Sequence, residues 1–573
     1  MKKLMPRILA LSLFLYCSTP IYPQSDPGSA YPQNYFRNPL DIPIRLAANF
    51  GELRQNHFHM GLDIRTEMRI DLPVYAAADG WIARVKVEPE GFGQAIYIYH
   101  PNGYTTVYAH LNEFFPKLAA YVKKEQYRLE SWAVSLEIPK GMFKVRKGDL
   151  IARSGNTGGS EGPHLHFEIR RTSDDINLNP MLFGLPIPDR VAPVIQKLAI
   201  YDGSTSIYEQ SPRQIPVRNN ASGSFSIPLV TAFSRVRFGI SAFDQQSGST
   251  NPNGIFEAIL FDNEQRNLSF QMDNISYEQT LNVNAHIDYK TRAQGGQYIQ
   301  QLFLLPGYHP SIYKTPGGNG VIDISDGRVH SIRVEVKDAY ANTSRLHFII
   351  RYKENVGAVS SGIYGGNEFY PGMLGAYESG DCAFYIGEKG LYDSVHINYS
   401  RVAPASASSI SARHRIGADY IPLQDTFLLR IKPSRELSDE EKSKVLLERE
   451  TQVGHEVRKP QWQAGWASAG FRGFGVFELV VDREAPEIIP IGFKEGSNLK
   501  NAVQLKILVR DNTDSYKNFR AELDGKWLRF SNDKGKYFIY RFDEHCPRGS
   551  HELTVSVEDE AGNIARTRIR FMR

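Results

Sequence analysis

Cysteine is scarce in these 573 residues: only Cys17, Cys382 and Cys546 are present. So few exclude a disulfide-stapled framework and any cysteine-rich zinc ribbon. Charge of one sign is lacking as well, since 67 Lys and Arg stand against 63 Asp and Glu, a formal net charge of +4. Lys2, Lys3 and Arg7 supply most of that excess, so the remainder is close to neutral and offers no basic footprint for nucleic acid. Long apolar runs are also missing. The run from Ile8 to Tyr16 falls short of the roughly 20 apolar residues a membrane helix needs, and no other stretch resembles a span.

That short run nevertheless has a purpose. Three basic residues, an apolar core and the breakers Ser18, Thr19 and Pro20 have the layout of a signal peptide, predicted over residues 1–24. The mature chain is therefore expected outside the cytoplasm, in the periplasm, associated with the cell envelope, or secreted, with no transmembrane span after cleavage. Tyr16, bulky where small residues are usual, argues against a lipid on Cys17. Cys382 and Cys546 then remain, either as one disulfide or as two buried thiols.

A chain this long exceeds one hydrophobic core, and at about 150 residues per domain it divides into three or four. Thirty Tyr and 31 Phe, with many Val and Ile, favour strands. Between Leu46 and Arg171, short strands separated by glycine turns are predicted at Pro73–Ala77, Trp81–Val87, Ala95–Tyr99, Thr105–His110, Leu150–Ser154 and His164–Arg170. The pattern is that of an antiparallel β domain, assigned to residues 35–188. Residues 114–143 interrupt it, and Leu118, Tyr121 and Val122 recur there near helical spacing, which predicts an inserted surface helix. A Pro-rich exit from Pro180 to Pro193 marks its end.

Beyond it lies an internal echo. His330-Ser-Ile-Arg-Val-Glu-Val-Lys-Asp338, with Asn342 and Arg345, matches His551-Glu-Leu-Thr-Val-Ser-Val-Glu-Asp559, with Asn563 and Arg566, at a constant offset. Their lead-ins match too: Asp189-Arg-Val-Ala-Pro193 resembles Asp482-Arg-Glu-Ala-Pro486. Each copy should end in a hairpin of a β-sandwich. The two units, 189–354 and 482–573, resemble bacterial immunoglobulin-like domains through the turn Asp559-Glu-Ala-Gly-Asn563, although Ala341 takes the glycine's place in the first. Residues 355–481 between them read as a further β-rich domain, with strands such as Thr426–Ile431 and Val476–Val481. Ser438-Asp-Glu-Glu441 there has the spacing of a capping box.

The chemistry is concentrated in the first domain. His59-Met-Gly-Leu-Asp63 offers an imidazole and a carboxylate with a glycine between them, both zinc-compatible donors. Gly162-Pro-His-Leu-His-Phe-Glu168 places His164 and His166 on one face of a strand, with Leu165 and Phe167 on the other. A third piece, Tyr108-Ala-His110, ends another strand. His57 forms a second H-x-H with His59, so period-two geometry alone could offer it as a ligand as well; the other reading is a groove-lining or surface residue. Glu168 shares the face of His164 and His166, either as an acceptor for an imidazole N–H or as a solvated charge.

These pieces, with Phe50-Gly-Glu-Leu-Arg54, Val74-Tyr-Ala-Ala-Ala-Asp-Gly80 and Ser154-Gly-Asn-Thr-Gly158, together resemble the M23 family of LytM/lysostaphin-type zinc endopeptidases. The similarity runs from about Phe50 to Pro180. It implies that His59, Asp63 and His166 bind Zn2+ and that His110 and His164 are catalytic, with either one as base and the other as hydrogen-bond donor. Three protein ligands leave one position open for water, as a catalytic zinc site requires. The family and the signal together imply hydrolysis of amide bonds in peptidoglycan peptide cross-links. A secreted protease acting on proteins and a catalytically silent wall-binding scaffold are the alternatives. The C-terminal β domains offer surface for a protein partner or for the wall, and the insertion at 114–143 is expected to form a lid or wall over the groove.

Overall fold

The computed structural model describes residues 31–217, 229–354, 365–404, 406, 408–451, 454–535 and 537–573. The expected signal segment lies outside these residues. The fold is mainly β, an N-terminal M23-like peptidase-fold region followed by β-sandwiches.

In the N-terminal region a sheet of antiparallel strands carries the candidate site. Its central path uses β1 (Leu46–Ala48), β2 (Leu62–Arg65), β3 (Gly80–Val87), β4 (Gln94–Tyr99), β5 (Tyr104–Ala109), β6 (Val134–Glu137) and β7 (His164–Arg171), in the spatial order β1-β2-β7-β5-β4-β3-β6. The strands predicted from sequence fall within two residues of those observed. Most of these strands are buried on both faces: in β7 Leu165, Phe167 and Ile169 enter one core, while His166, Glu168 and Arg170 are buried on the opposite face. The insertion does contain a helix, α1 (Pro116–Leu129), begun by a proline at its first position and seated through Leu118 and Val122. It also holds β6, an unforeseen strand that pairs with the edge of β3.

The sheet does not stop at the Pro-rich exit. β8 (Asn177–Leu178) pairs with β7 on one side and with β9 (Asn274–Ile275) on the other, so a strand from the next unit joins the peptidase sheet. Residues 189–354 otherwise form a five-stranded and a six-stranded sheet. Residues 375–481 form two five-stranded sheets, and the remainder a three-stranded and a five-stranded one. One hydrophobic cluster runs without a break through residues 195–350 and 369–479, and it also takes in Phe50, Phe58 and Met60. Phe58 and Met60 flank His59 and Phe50 lies at the start of the same loop, so the loop bearing it is anchored in the core of the neighbouring sandwich.

Both echoed segments are hairpins: β10 (His330–Lys337) with β11 (Thr343–Tyr352), and β12 (Ser550–Asp559) with β13 (Ile564–Met572). In each turn the aspartate accepts the backbone N–H of the asparagine, at 2.8 Å for Asp338 and Asn342 and at 2.7 Å for Asp559 and Asn563. Ala341 adopts φ 66° where Gly562 has φ 80°, so the alanine is held in the left-handed region that glycine occupies freely. The capping box also forms: Ser438 Oγ accepts from Glu441 N, and the helix Asp439–Ser443 follows. Cys382 and Cys546 are both buried free thiols, which decides that question against a disulfide.

The two copies differ in charge. Beside the second turn, Lys444 donates to the carbonyl of Gly562 at 3.0 Å and Lys459 to that of Ala561 at 3.2 Å, next to Asp482 and Asp559. The first copy gathers three carboxylates instead, with one oxygen each of Asp189, Asp244 and Asp338 within 4.8 Å of one another. Burial, then repulsion from Asp338 and Asp189, pushes the Asp244 carboxyl up to about 7. An unfolded aspartate titrates near pH ~3.9. Between that pH and about 7 the folded state therefore holds a proton that the unfolded chain has released, and stability falls as pH rises through the window. In chelator-containing buffer the denaturant midpoint of this unit is expected to be lower at pH 8 than at pH 5. Asp244→Asn should flatten that difference, and an unaltered slope in the variant would contradict the assignment.

Candidate metal centre

Register brings the donors together. On β7, His166 lies directly across from Asp63 on β2 and from Ala109 on β5. Side chains directly opposite on one face of a sheet are nearest neighbours, so pairing alone sets the imidazole beside the carboxylate. The small Ala109 leaves the His166 ring room. Gly61 is needed for the same reason, because a Cβ there would lie 2.9 Å from His166 Nε2 and 2.6 Å from the carbonyl of Phe167.

Asp63 Oδ1 is the focus. It stands 3.0 Å from His59 Nε2, 2.9 Å from His166 Nδ1 and 3.3 Å from His164 Nε2, and the two nitrogens of His59 and His166 are 3.1 Å apart. Their outer nitrogens reveal the tautomers. His59 Nδ1 faces the carbonyl of Asn49 at 2.8 Å, and His166 Nε2 faces the carboxylate of Glu168 at 2.9 Å. A carbonyl and an ionised carboxylate only accept, so each outer nitrogen carries a hydrogen, and a neutral ring then presents a lone pair from its inner nitrogen. His164 repeats the arrangement, with Nδ1 donating to the carbonyl of Gly162 at 2.8 Å while its buried Nε2 has no hydrogen-bond partner. With His166 Nδ1 deprotonated, the inner nitrogens and the Asp63 oxygen present their lone pairs to one point, a cradle for a cation. His59, Asp63 and His166, all buried, are a candidate metal-binding triad whose two imidazoles and one carboxylate suit zinc.

The electrostatics agree. Burial alone would lower the His166 pKa, but its hydrogen bonds to Asp63 and Glu168 outweigh burial and raise it to about 9, a proton standing in for the cation. Burial would likewise raise Asp63, yet the imidazoles around it hold its carboxyl well below the usual range. For Glu168, Arg170 and His166 overcome burial and bring the pKa to about 2.

His110 closes β5 with φ 59°, a strained left-handed residue that swings the ring out of the strand and into the groove. Its Nδ1 donates to the carbonyl of Thr157 at 2.8 Å, and its ring centroid lies 4.7 Å from that of His164. Burial, followed by repulsion from His164 and His166, lowers its pKa to about 3, so it is a neutral imidazole at neutral pH. Tyr108 fixes the strand beneath it, its buried hydroxyl accepting from Ala77 N at 2.7 Å. All five histidine and aspartate positions singled out in the sequence thus meet in one groove of about 1060 Å³. His57 is exposed on the rim of that groove. Glu168 is fully buried and holds His166, which removes the solvated-charge reading. Two partners escaped the sequence: the Asn49 carbonyl, which any residue could supply, and Tyr277, which lies more than a hundred positions beyond Glu168.

The insertion behaves differently from expectation. Within 114–143 no residue lines the groove; α1 instead faces the last sandwich, with Lys123 2.7 Å from Asp543, Arg529 donating to Gln126 at 3.0 Å and Tyr127 stacked on His545 at 3.8 Å. Hydrophilic residues at the helix surface suit a lid and a dock equally, which is why spacing alone pointed to the wrong partner.

The model of Peptidase family M23 matches residues 57–127 and 135–178, and that of the Zu5-like domain matches residues 374–482. Over 165 residues the chain is 30% identical to an uncharacterized metalloprotease of Haemophilus influenzae, covering 28% of this chain and 29% of the relative. It is 34% identical over 153 residues to the DD-carboxypeptidase/endopeptidase Mpg of Neisseria meningitidis, covering 26% and 29%. To the peptidoglycan DD-endopeptidase ShyA of Vibrio cholerae it is 32% identical over 148 residues, covering 25% and 28%. The chain therefore spans less than a third of the length of these curated relatives. A zinc containing peptidase from Vibrio cholerae of known crystal structure is 27% identical, with 25% of this chain and 39% of that one covered, at a TM-score of 0.19 too low to carry an argument. Residues 57–178 have sequence and structural features consistent with an active M23-type zinc metalloendopeptidase.

His166→Ala removes one of three donors, and its zinc content by atomic spectrometry is expected to fall from about one per chain to near zero. Gly61→Ala is expected to destabilise the domain by about 1–3 kcal/mol in denaturant titration and to weaken zinc retention by displacing the His166 ring.

Proposed function

We propose that this chain is an exported zinc-dependent endopeptidase that hydrolyses amide bonds in the peptide cross-links of peptidoglycan. The observation that carries the reading is the convergence of imidazole lone pairs on Asp63 Oδ1 at the floor of an open groove. His59, Asp63 and His166 would hold the zinc, which when bound supplies an acidified water and a polarising charge for the scissile carbonyl. His110 and His164 are the catalytic pair. Each has its Nδ1 hydrogen committed to a backbone carbonyl, so each turns a basic Nε2 toward the groove, ready to accept a proton from the attacking water or to pass one to the leaving amine.

The substrate class rests on the named activities of Mpg and ShyA and on the signal-like N-terminus, which fits a periplasmic, envelope-associated or secreted enzyme. Among the described residues, no helix is long and apolar enough to cross a membrane. We read the sandwiches at 189–354 and 482–573 as immunoglobulin-like and, with the Zu5-like unit, as surfaces for the wall or for a protein partner.

The test is incubation of the full chain with purified sacculi and, separately, with a denatured protein. Released muropeptides that vanish in His166→Ala and in chelator are expected. Fragments from the denatured protein alone would favour the secreted protease, and no product from either would favour a silent scaffold.

A further inference from the structure

Residues 274–286 belong to the second β unit and lie outside the stretch matched by the M23 model, yet Tyr277 and Thr280 among them line the groove beside the metal centre. β9 extends the peptidase sheet through β8. Thr280 Oγ1 accepts from Phe58 N at 3.1 Å, and Asn284 Nδ2 donates to Asn56 Oδ1 at 3.0 Å, so this segment fastens the loop that carries His59.

Tyr277 reaches further. Its hydroxyl donates to Glu168 Oε1 at 2.8 Å, the same oxygen that accepts from His166 Nε2 at 2.9 Å. Arg170 occupies the other oxygen, with Nε 2.6 Å from Glu168 Oε2, and its guanidinium carbon sits 4.7 Å over the Tyr277 ring. Phe92 packs against both Tyr277 and His166, at centroid distances of 6.4 and 5.5 Å. A carboxylate held by one donor can rotate; one pinned at both oxygens by a tyrosine, a guanidinium and an imidazole cannot. Its orientation in turn fixes which His166 nitrogen bears the hydrogen and which points at Asp63. Although 39% of Tyr277 is exposed in the groove, desolvation of its hydroxyl, followed by the nearby Glu168 charge, keeps the phenol protonated far above neutral pH, so it remains a donor throughout the working range.

We propose that Tyr277, supplied by the neighbouring β unit, is a positioning residue of the metal centre: through Glu168 it holds His166 in the tautomer and ring orientation that ligation requires. The peptidase stretch is then incomplete by itself, and the second unit forms part of the site. This rests on the reading of His59, Asp63 and His166 as zinc ligands.

The experiment measures Zn2+ affinity of the full chain by competition with a chromogenic chelator, in wild type, Tyr277→Phe, Glu168→Gln and the double variant. Tyr277→Phe keeps the ring, its packing on Arg170 and its contact with Phe92. Loss of an outer partner of a metal-binding histidine typically costs about 10–100-fold in affinity, and a fall at the lower end of that range is expected for Tyr277→Phe. The loss should disappear in the Glu168→Gln background, because the hydroxyl acts only through that carboxylate. A merely structural role would instead lower affinity equally in both backgrounds, which overturns the proposal. Equal Zn2+ affinity in wild type and Tyr277→Phe overturns it as well and leaves the zinc reading intact. A wild-type chain that binds no Zn2+ sinks the zinc reading and this inference with it.

Discussion

Three imidazole nitrogens stand within 3.3 Å of Asp63 Oδ1, and the outer nitrogen of each is occupied by an acceptor. Once His166 gives up the proton it shares with Asp63, such a cluster of lone pairs repels itself, and the chain must hold it closed by other means. The means are visible in the surroundings: β7 is hydrogen-bonded on both flanks, its apolar face is buried, and the His59 loop is pinned through Phe50, Phe58 and Met60 in a second core. Destabilisation at the centre is offset by rigid structure around it, the usual condition for a preorganised site. A divalent cation turns the same geometry from repulsive to attractive, so binding and local rigidity reinforce each other.

The second unit bears directly on this balance. The loop around His59 buries its apolar residues in the neighbouring sandwich and not in the peptidase core. Donor placement in one unit therefore depends on packing in another. The division into peptidase and accessory domains that composition suggests describes the order of the chain better than it describes the centre.

How much of this was legible in the sequence depends on the range of the interactions involved. Alternation in His164–Arg171 and the spacing from His59 to Asp63 are local, and both the strand and the gathered donors could be read from them. The hairpins at Asp338 and Asp559 were equally legible, because an Asp-to-Asn turn is a matter of five residues. The helix at Pro116–Leu129 was visible through its apolar spacing, but its partner was not, since Lys123 and Tyr127 meet residues more than four hundred positions away. Asn49 was invisible for another reason: it contributes a backbone carbonyl, and that leaves no trace in residue type. The fate of Cys382 and Cys546 was open in sequence and was settled by their burial in separate cores.

One contact between the ends of the molecule has a bearing on how it is made. Asp533 accepts from Gly158 N at 2.8 Å across 375 residues, Lys534 Nζ reaches the carbonyls of Gly158 and Ser160, and Lys534 N donates to the carbonyl of Pro89 at 2.8 Å. These atoms brace the glycine-rich rim of the groove from outside. During synthesis the rim has to wait, unbraced, until residues 533 and 534 have emerged and folded, because loop closure over such a span comes late. The groove therefore reaches its final shape only when that segment is in place, and a nascent chain short of it would carry the donors with a looser wall around them.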